Sequence, residues 1–203
     1  MLDLRSALAG FDGPAEQSGA DGAIGLEIGE VTGWSLVEIG VYPSKQAEGE
    51  RAIESWLGTI PERIATPTAS ANGLLIRTGP LSFWLVNSTR EATAGRTYEA
   101  ARAALPEAVT SVIDLTSSRT RLFIDGTHAA DVLLKGIPID LAIESFPMGA
   151  IALTGVHHTP ILLFRTAPDR FEIFAMRTFA LTVLDWLTDA ALEFGYRLRN
   201  VHP

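Results

Sequence analysis

Trp34-Ser-Leu-Val-Glu-Ile-Gly-Val41 alternates branched apolar residues with small or polar ones, the two-residue period of a strand with one face in a core. The period then changes: over residues 47–60, Ile53, Trp56, Leu57 and Ile60 recur at helical spacing on one face. Leu74-Leu-Ile-Arg77 and Leu81-Ser-Phe-Trp-Leu-Val86 flank the turn residues Thr78-Gly79-Pro80, which predicts a hairpin. A shorter helix over 95–105 ends at Pro106, whose ring nitrogen has no hydrogen to donate, and the branched residues of 109–115 make another strand. The resulting order, β-α-β-β-α-β, is the signature of a ferredoxin-like unit.

Working outward, a second pass of similar order follows. Arg121-Leu-Phe-Ile-Asp125 reads as a strand and residues 127–135 as a helix; 149–156, 159–164 and 171–176 read as strands, with Ala167-Pro-Asp-Arg170 as the last turn. The closing helix spans 178–194, with Phe179, Val183, Trp186, Leu187, Ala190 and Phe194 at helical spacing. The expected fold class is α+β: two similar ferredoxin-like halves packed together, 26–116 and 117–203. No repeat at the sequence level proves a duplication. Residues 10–25 mix Gly, Asp, Ser, Pro and Ala with little periodicity, and 1–25 is read as a mobile N-terminal arm, a feature that in a subunit often drapes over a partner.

The chain has 203 residues, with 16 Lys and Arg against 24 Asp and Glu, a net charge of −8 that repels a phosphate backbone and argues against nucleic acid as a partner. It contains no cysteine, which excludes disulfides, thiolate metal sites, a cysteinyl nucleophile and cysteinyl flavin attachment. Neither a secretory signal pattern nor an apolar run long enough for a membrane span is present, so a cytoplasmic location without a membrane partner is expected.

Residues able to carry chemistry are few. Of His128, His157, His158 and His202, the adjacent pair 157–158 would point to opposite faces of a strand, and no HxxxH or HxE pattern accompanies it; a solvent or interface role is the reading. Asp185, Asp189 and Glu193 fall on the polar side of the closing helix. No GxSxG elbow, dinucleotide GxGxxG or Walker lysine occurs. Gly136 and Pro138 are read as a helix stop, with Gly136 in a left-handed conformation. Arg119 and Arg121 lie two apart on one face of a strand, a placement that suits carboxylate or carbonyl partners. Arg177 opens the closing helix, where a cation opposes the helix dipole and calls for an acidic partner in this chain or another.

Asp114-Leu-Thr-Ser-Ser-Arg119, Leu134-Lys-Gly-Ile-Pro-Ile-Asp-Leu141, Phe146-Pro-Met-Gly149, Arg177-Thr-Phe-Ala180 and Trp186-Leu-Thr-Asp-Ala-Ala-Leu-Glu-Phe-Gly195 together resemble, in this order, the gamma subunit of heterotetrameric sarcosine oxidase. The resemblance covers about residues 109–195. It implies a shortened relative of the folate-binding domain of glycine-cleavage T protein, in agreement with the two α+β halves. It also implies a non-catalytic chain assembled with alpha, beta and delta chains into an oxidoreductase complex. That complex would demethylate sarcosine to glycine, pass the one-carbon unit to tetrahydrofolate or release it as formaldehyde, and form hydrogen peroxide. FAD, FMN, NAD and zinc are implied to sit in the other chains, with no catalytic, cofactor or metal residue in this one. Arg119, Arg121 and Arg177 are then read as partner-interface residues. The alternatives are a gamma-type chain of a related enzyme such as N-methylglutamate dehydrogenase, and a stand-alone folate-binding protein using Asp114 or Asp140.

Overall fold

A computed structural model describes residues 6–88 and 95–199. In chain order the strands and helices are β1 (Glu16–Gln17), β2 (Leu26–Glu30), β3 (Ser35–Val41), α1 (Gln46–Leu57), β4 (Pro67–Ser70), β5 (Gly73–Gly79), β6 (Ser82–Asn87), α2 (Arg96–Ala104), β7 (Thr110–Asp114), β8 (Arg119–Asp125), α3 (Ala129–Leu134), β9 (Ile151–Val156), β10 (Thr159–Ala167), β11 (Arg170–Met176), α4 (Ala180–Ala190) and β12 (Tyr196–Arg199). They divide into two compact units. One is Gly33–Ser117; the other joins the residues up to Thr32 with those from Ser118 onward.

The Gly33–Ser117 unit has a sheet in the order β4-β5-β6-β3-β7, with every pairing antiparallel. Without β4 this is the ferredoxin-like order, in which each helix carries the chain over the sheet to a strand beyond its neighbour. Val37, Ile39 and Val41 of β3 alternate onto the helix side and pack with Phe83, Leu85, Ile53, Leu57 and Ala101. Each such side chain removed fully from water contributes about 1.5–3 kcal/mol. The sequence reading missed β4, since Pro67-Thr-Ala-Ser70 has almost no apolar content; it is an edge strand, and proline is tolerated at its start.

The other unit repeats this plan with additions. Its sheet runs β1-β12-β2-β8-β11-β10-β9. The ferredoxin-like set is β8, β10, β11 and β12, and β9 is an extra edge strand placed, like β4, just before the hairpin. β2 comes from before the Gly33–Ser117 unit and lies between β8 and β12, antiparallel to the first and parallel to the second. Leu26 and Ile28 of β2 therefore share a core with Leu122, Ile124, Phe171 and Ile173, under Val132 and Leu133 of α3 and Val183, Leu184 and Leu187 of α4.

Two expectations change. Residues 26–32 belong to the unit formed by the second half, so the first unit begins at Gly33 rather than 26. The N-terminal segment is not a free arm from residue 6 onward: Leu8 is fully buried in the core, and Glu16–Gln17 pairs with β12. The Glu30 carboxylate, at the end of β2, accepts hydrogen bonds from the Ser6 hydroxyl, the Ala7 amide (3.3 Å) and the Thr120 hydroxyl (3.3 Å), which ties the segment down. Residues 1–5 of the expected arm lie outside the described residues.

Structure also exposes a repeat hidden in the sequence. Leu75-Ile-Arg-Thr-Gly-Pro80 and Leu163-Phe-Arg-Thr-Ala-Pro168 occupy the same corner of the two units, and each strand bulges just after its arginine, between Arg77 and Gly79 and between Arg165 and Ala167. Both arginines are buried. The Arg77 guanidinium donates to the carbonyls of Pro80 (2.8 Å) and Pro61 (2.7 Å) and to Glu50, and lies 4.5 Å from the centre of the Phe83 ring. That of Arg165 donates to the carbonyls of Pro168 (3.0 Å), Leu141 (3.0 Å) and Phe146 (2.8 Å), and lies 4.8 Å from the Phe171 ring. In each unit the arginine carbonyl accepts from a residue with left-handed backbone, Ala65 (φ 57°) and Gly149 (φ 83°), both at 2.8 Å. Glycine adopts that conformation without cost, whereas alanine strains by about 1–2 kcal/mol.

Arg165→Met leaves several buried carbonyls without donors and is expected to lower the unfolding free energy by about 3–5 kcal/mol. Arg165→Lys recovers only part, because an ammonium lacks the planar fork. Urea unfolding with the two variants measures this; a loss under 1 kcal/mol for Arg165→Met contradicts the clamp.

Candidate interaction surface

On β8, Arg119, Arg121, Phe123 and Asp125 alternate with the core residues Leu122 and Ile124 and so project from the sheet face opposite the helices. On β11, Arg170, Glu172, Phe174 and Met176 do the same, and the register sets Arg121 beside Phe174, Phe123 beside Glu172, Asp125 beside Arg170 and Arg119 beside Met176. Arg121 Nε donates to Glu172 Oε2 at 2.8 Å, and its Nη2 lies 2.7 Å from the same oxygen. The two side chains are 9% and 7% exposed, so the pair is desolvated. Arg170 Nη1 donates to Asp125 Oδ2 at 2.9 Å, and its guanidinium lies 4.2 Å from the centre of the Phe123 ring.

Arg121 therefore has an acidic partner inside its own chain: Glu172, which reads in the sequence as one polar position of a strand, meets it across the β8–β11 ladder. Arg119 and Arg177 are brought together elsewhere. Arg119 Nη1 donates to the Ser118 carbonyl at 3.4 Å, and the backbone N–H of Arg177 donates to that same carbonyl at 2.9 Å. Arg177 stands in the 3-10 turn Arg177–Phe179 that leads into α4. Beside the two arginines, Met176 and Phe179 are 41% and 38% exposed. Cations and apolar side chains thus share one end of the β8–β11 pair.

The remaining candidates hold local structure. Asp114 accepts from the Thr116 amide at 2.9 Å, and Asp140 accepts from the Ala142 amide at 2.9 Å and the Ser145 hydroxyl at 2.6 Å. These are turn caps. The Ser145 hydroxyl, then the Ala142 amide, hold the Asp140 carboxyl below its ordinary pKa. His157 and His158 form the two-residue turn between β9 and β10, with His157 in a left-handed conformation (φ 50°) and edge-on to Trp186. His128 stacks on Phe194 and meets Asp131 at 3.0 Å; His202 lies outside the described residues. Gly136 is not left-handed, contrary to expectation. A side chain there would come within 2.7 Å of the Trp186 ring, so it is the close approach of α4 that requires glycine.

A polar cleft of about 530 Å³ lies among residues 24–27, Asp125, Gly126 and Arg197. Its charges are already matched: Glu27 with Arg199, Asp125 with Arg170, and Arg197 with Glu16. The hydrogen bond from Arg199 holds the Glu27 carboxyl below its ordinary pKa, which makes it a poor proton acceptor near neutrality. Among the described residues no three His, Asp or Glu side chains converge as metal ligands would.

Fold and surface define a two-unit α+β chain in which the charges of the cleft and of Arg121, Arg170, Glu172 and Asp125 are matched internally. The model of the sarcosine oxidase, gamma subunit family matches residues 52–193, and the chain belongs to that family. It is 29% identical over 160 residues to the sarcosine oxidase subunit gamma of an Arthrobacter species, covering 78% of this chain and 77% of that one. With the same subunit of Corynebacterium sp. strain U-96 it shares 26% over 184 residues, covering 85% and 88%. The solved heterotetrameric sarcosine oxidase from Corynebacterium sp. U-96, in complex with pyrrole 2-carboxylate, superposes with a TM-score of 0.73 at 25% identity, over 89% of both chains. The glycine cleavage system aminomethyltransferase T from Bartonella henselae shares the fold, with a TM-score of 0.64 at 16% identity, covering 86% of this chain and 48% of that one.

Arg121→Ala leaves the buried Glu172 carboxylate with only a 3.9 Å contact to Arg170 and is expected to cost about 3 kcal/mol, while Arg121→Met with Glu172→Leu restores most of it. Thermal unfolding of the two variants checks this, and equal losses would deny the pairing. For Asp140, the folded pKa lies below the unfolded one, so its stabilisation is complete above the ordinary aspartate range and is lost as pH falls through the folded value. Ser145→Ala should shift the Asp140 titration upward, as read by carbon-detected NMR, and move the loss of loop protection to higher pH.

Proposed function

We propose that this chain is the gamma subunit of a heterotetrameric sarcosine oxidase, and that it supports assembly of the complex rather than performing turnover. The observation that carries the reading is the match over nearly nine-tenths of the chain to a chain of a solved heterotetrameric enzyme, together with membership of the gamma subunit family. In this reading its partners are alpha, beta and delta chains, which hold FAD, FMN, NAD and zinc, in a cytoplasmic complex. The complex demethylates sarcosine oxidatively, with tetrahydrofolate as acceptor of the one-carbon unit. Occupation of Asp114 and Asp140 by turn amides and a hydroxyl leaves neither poised for a pterin ring, which favours the subunit role over a stand-alone folate protein. Arg119 and Arg177, with Met176 and Phe179, supply cationic and apolar contact of the sort found at the centres of interfaces.

Co-expression with the three other chains tests the role. The tagged chain should pull down all three, and Arg119→Ala and Arg177→Ala should weaken assembly while activity per intact complex stays unchanged. A cost of about 2–5 kcal/mol would place the arginines in a desolvated contact, and less than 1 kcal/mol at a rim. Intact assembly with turnover reduced by orders of magnitude would overturn the non-catalytic role.

A further inference from the structure

We propose that the loop of residues 141–149 is a second docking element, which seats Ile143 and Met148 in an apolar pocket of another chain of the complex, and that the rim of this pocket is basic. This rests on the subunit reading above. Met148 is 59% exposed, the most of any large apolar side chain among the described residues, and Ile143 is 43% exposed. They do not stand on a loose segment. Arg165 holds the carbonyls of Leu141 and Phe146, Gly149 donates to the Arg165 carbonyl, and the Ser145 and Phe146 amides both donate to the Ala142 carbonyl, at 3.0 and 2.8 Å. Phe146 is buried beside Phe171. A loop fixed in this way, its apolar tips turned outward, loses little freedom on binding.

Charge identifies the occupant. Residues 136–164 contain two acids, Asp140 and Glu144, and no lysine or arginine. Ser145 and Ala142 stabilise the ionised form of Asp140, and Glu144 is exposed with no side-chain partner among the described residues. Apolar tips beside unneutralised carboxylates fit an apolar pocket ringed by lysine or arginine. A second copy of this chain, at net charge −8, meets the loop with like charge. The equivalent loop of the other unit also exposes an apolar tip, Ile64, but sets Arg63 next to Glu62, so it lacks the uncompensated acids that Asp140 and Glu144 place at 140–149.

The test uses the complex co-expressed with its three other chains. Met148→Asp should abolish co-purification, and Met148→Ala should weaken it about tenfold or more, as truncation of a central apolar contact does. Glu144→Lys should weaken assembly at low salt, and the difference from wild type should shrink as salt screens the rim charges. The isolated variants should melt as the wild type does, since both side chains face solvent. If the wild type assembles and every variant assembles equally well, the loop proposal falls and the subunit reading stands. If the wild type binds none of the three chains, both fall. Self-association of the wild-type chain that Met148→Asp abolishes would make the occupant a second copy and overturn the proposal.

Discussion

A buried guanidinium gripping backbone carbonyls is the interaction on which each unit is hung. Arg165 reaches three separate stretches of chain at once: the hairpin corner at Pro168, the carbonyls of Leu141 and Phe146, and the face of Phe171. Only a rigid fork of five donors can satisfy carbonyls that arrive from different directions, and burial makes each unsatisfied one costly. Arg77 does the same in the other unit, with Glu50 as an added partner. The clamp fixes the path of the loop that enters the hairpin, and so decides which apolar residues are left facing solvent.

A second constraint is topological. β2 lies between β8 and β12, so that sheet is complete only when strands from the beginning and end of the chain are side by side. Pairing between residues so distant in sequence must overcome loop-closure entropy before it is rewarded, which slows folding. Glu30 at the end of β2 then anchors the Ser6–Leu8 segment through its carboxylate, and Leu8 enters the core. A stretch of weak local propensity is ordered by contacts it cannot make alone.

Charge is used in two ways on the β8–β11 pair. Arg121 and Glu172 are desolvated together and compensate one another, and Arg170 with Asp125 extends the arrangement. At the other end of the same strands, Arg119 and Arg177 meet around Ser118 beside exposed Met176 and Phe179. Residues two apart on one strand, with the same orientation and the same chemistry, thus meet different groups: a carboxylate for Arg121 and a backbone carbonyl for Arg119. Their position along the ladder, and the acid on the neighbouring strand, separates them.

Alternation in Trp34–Val41, helical spacing from Ile53 to Ile60 and the turn at Thr78–Pro80 determined the ferredoxin-like unit, because local periodicity is what strands and helices need in order to present one apolar face. The family motifs pointed to the gamma subunit class for a similar reason: they are contiguous runs, visible without any knowledge of contacts. What joins distant residues was left to tertiary structure. β2 and β12 are too short and too mixed to announce themselves, and the ladder that pairs them recruits the first segment into the last sheet. The Arg77 and Arg165 repeat is six residues long in each unit and gains meaning only when both are seen to bulge and to grip equivalent loops. That Arg121 pairs with Glu172 is visible only once the acid is seen to lie across the ladder. An ionic partner is chosen by distance and desolvation, and neither is written in the spacing of residues along the chain.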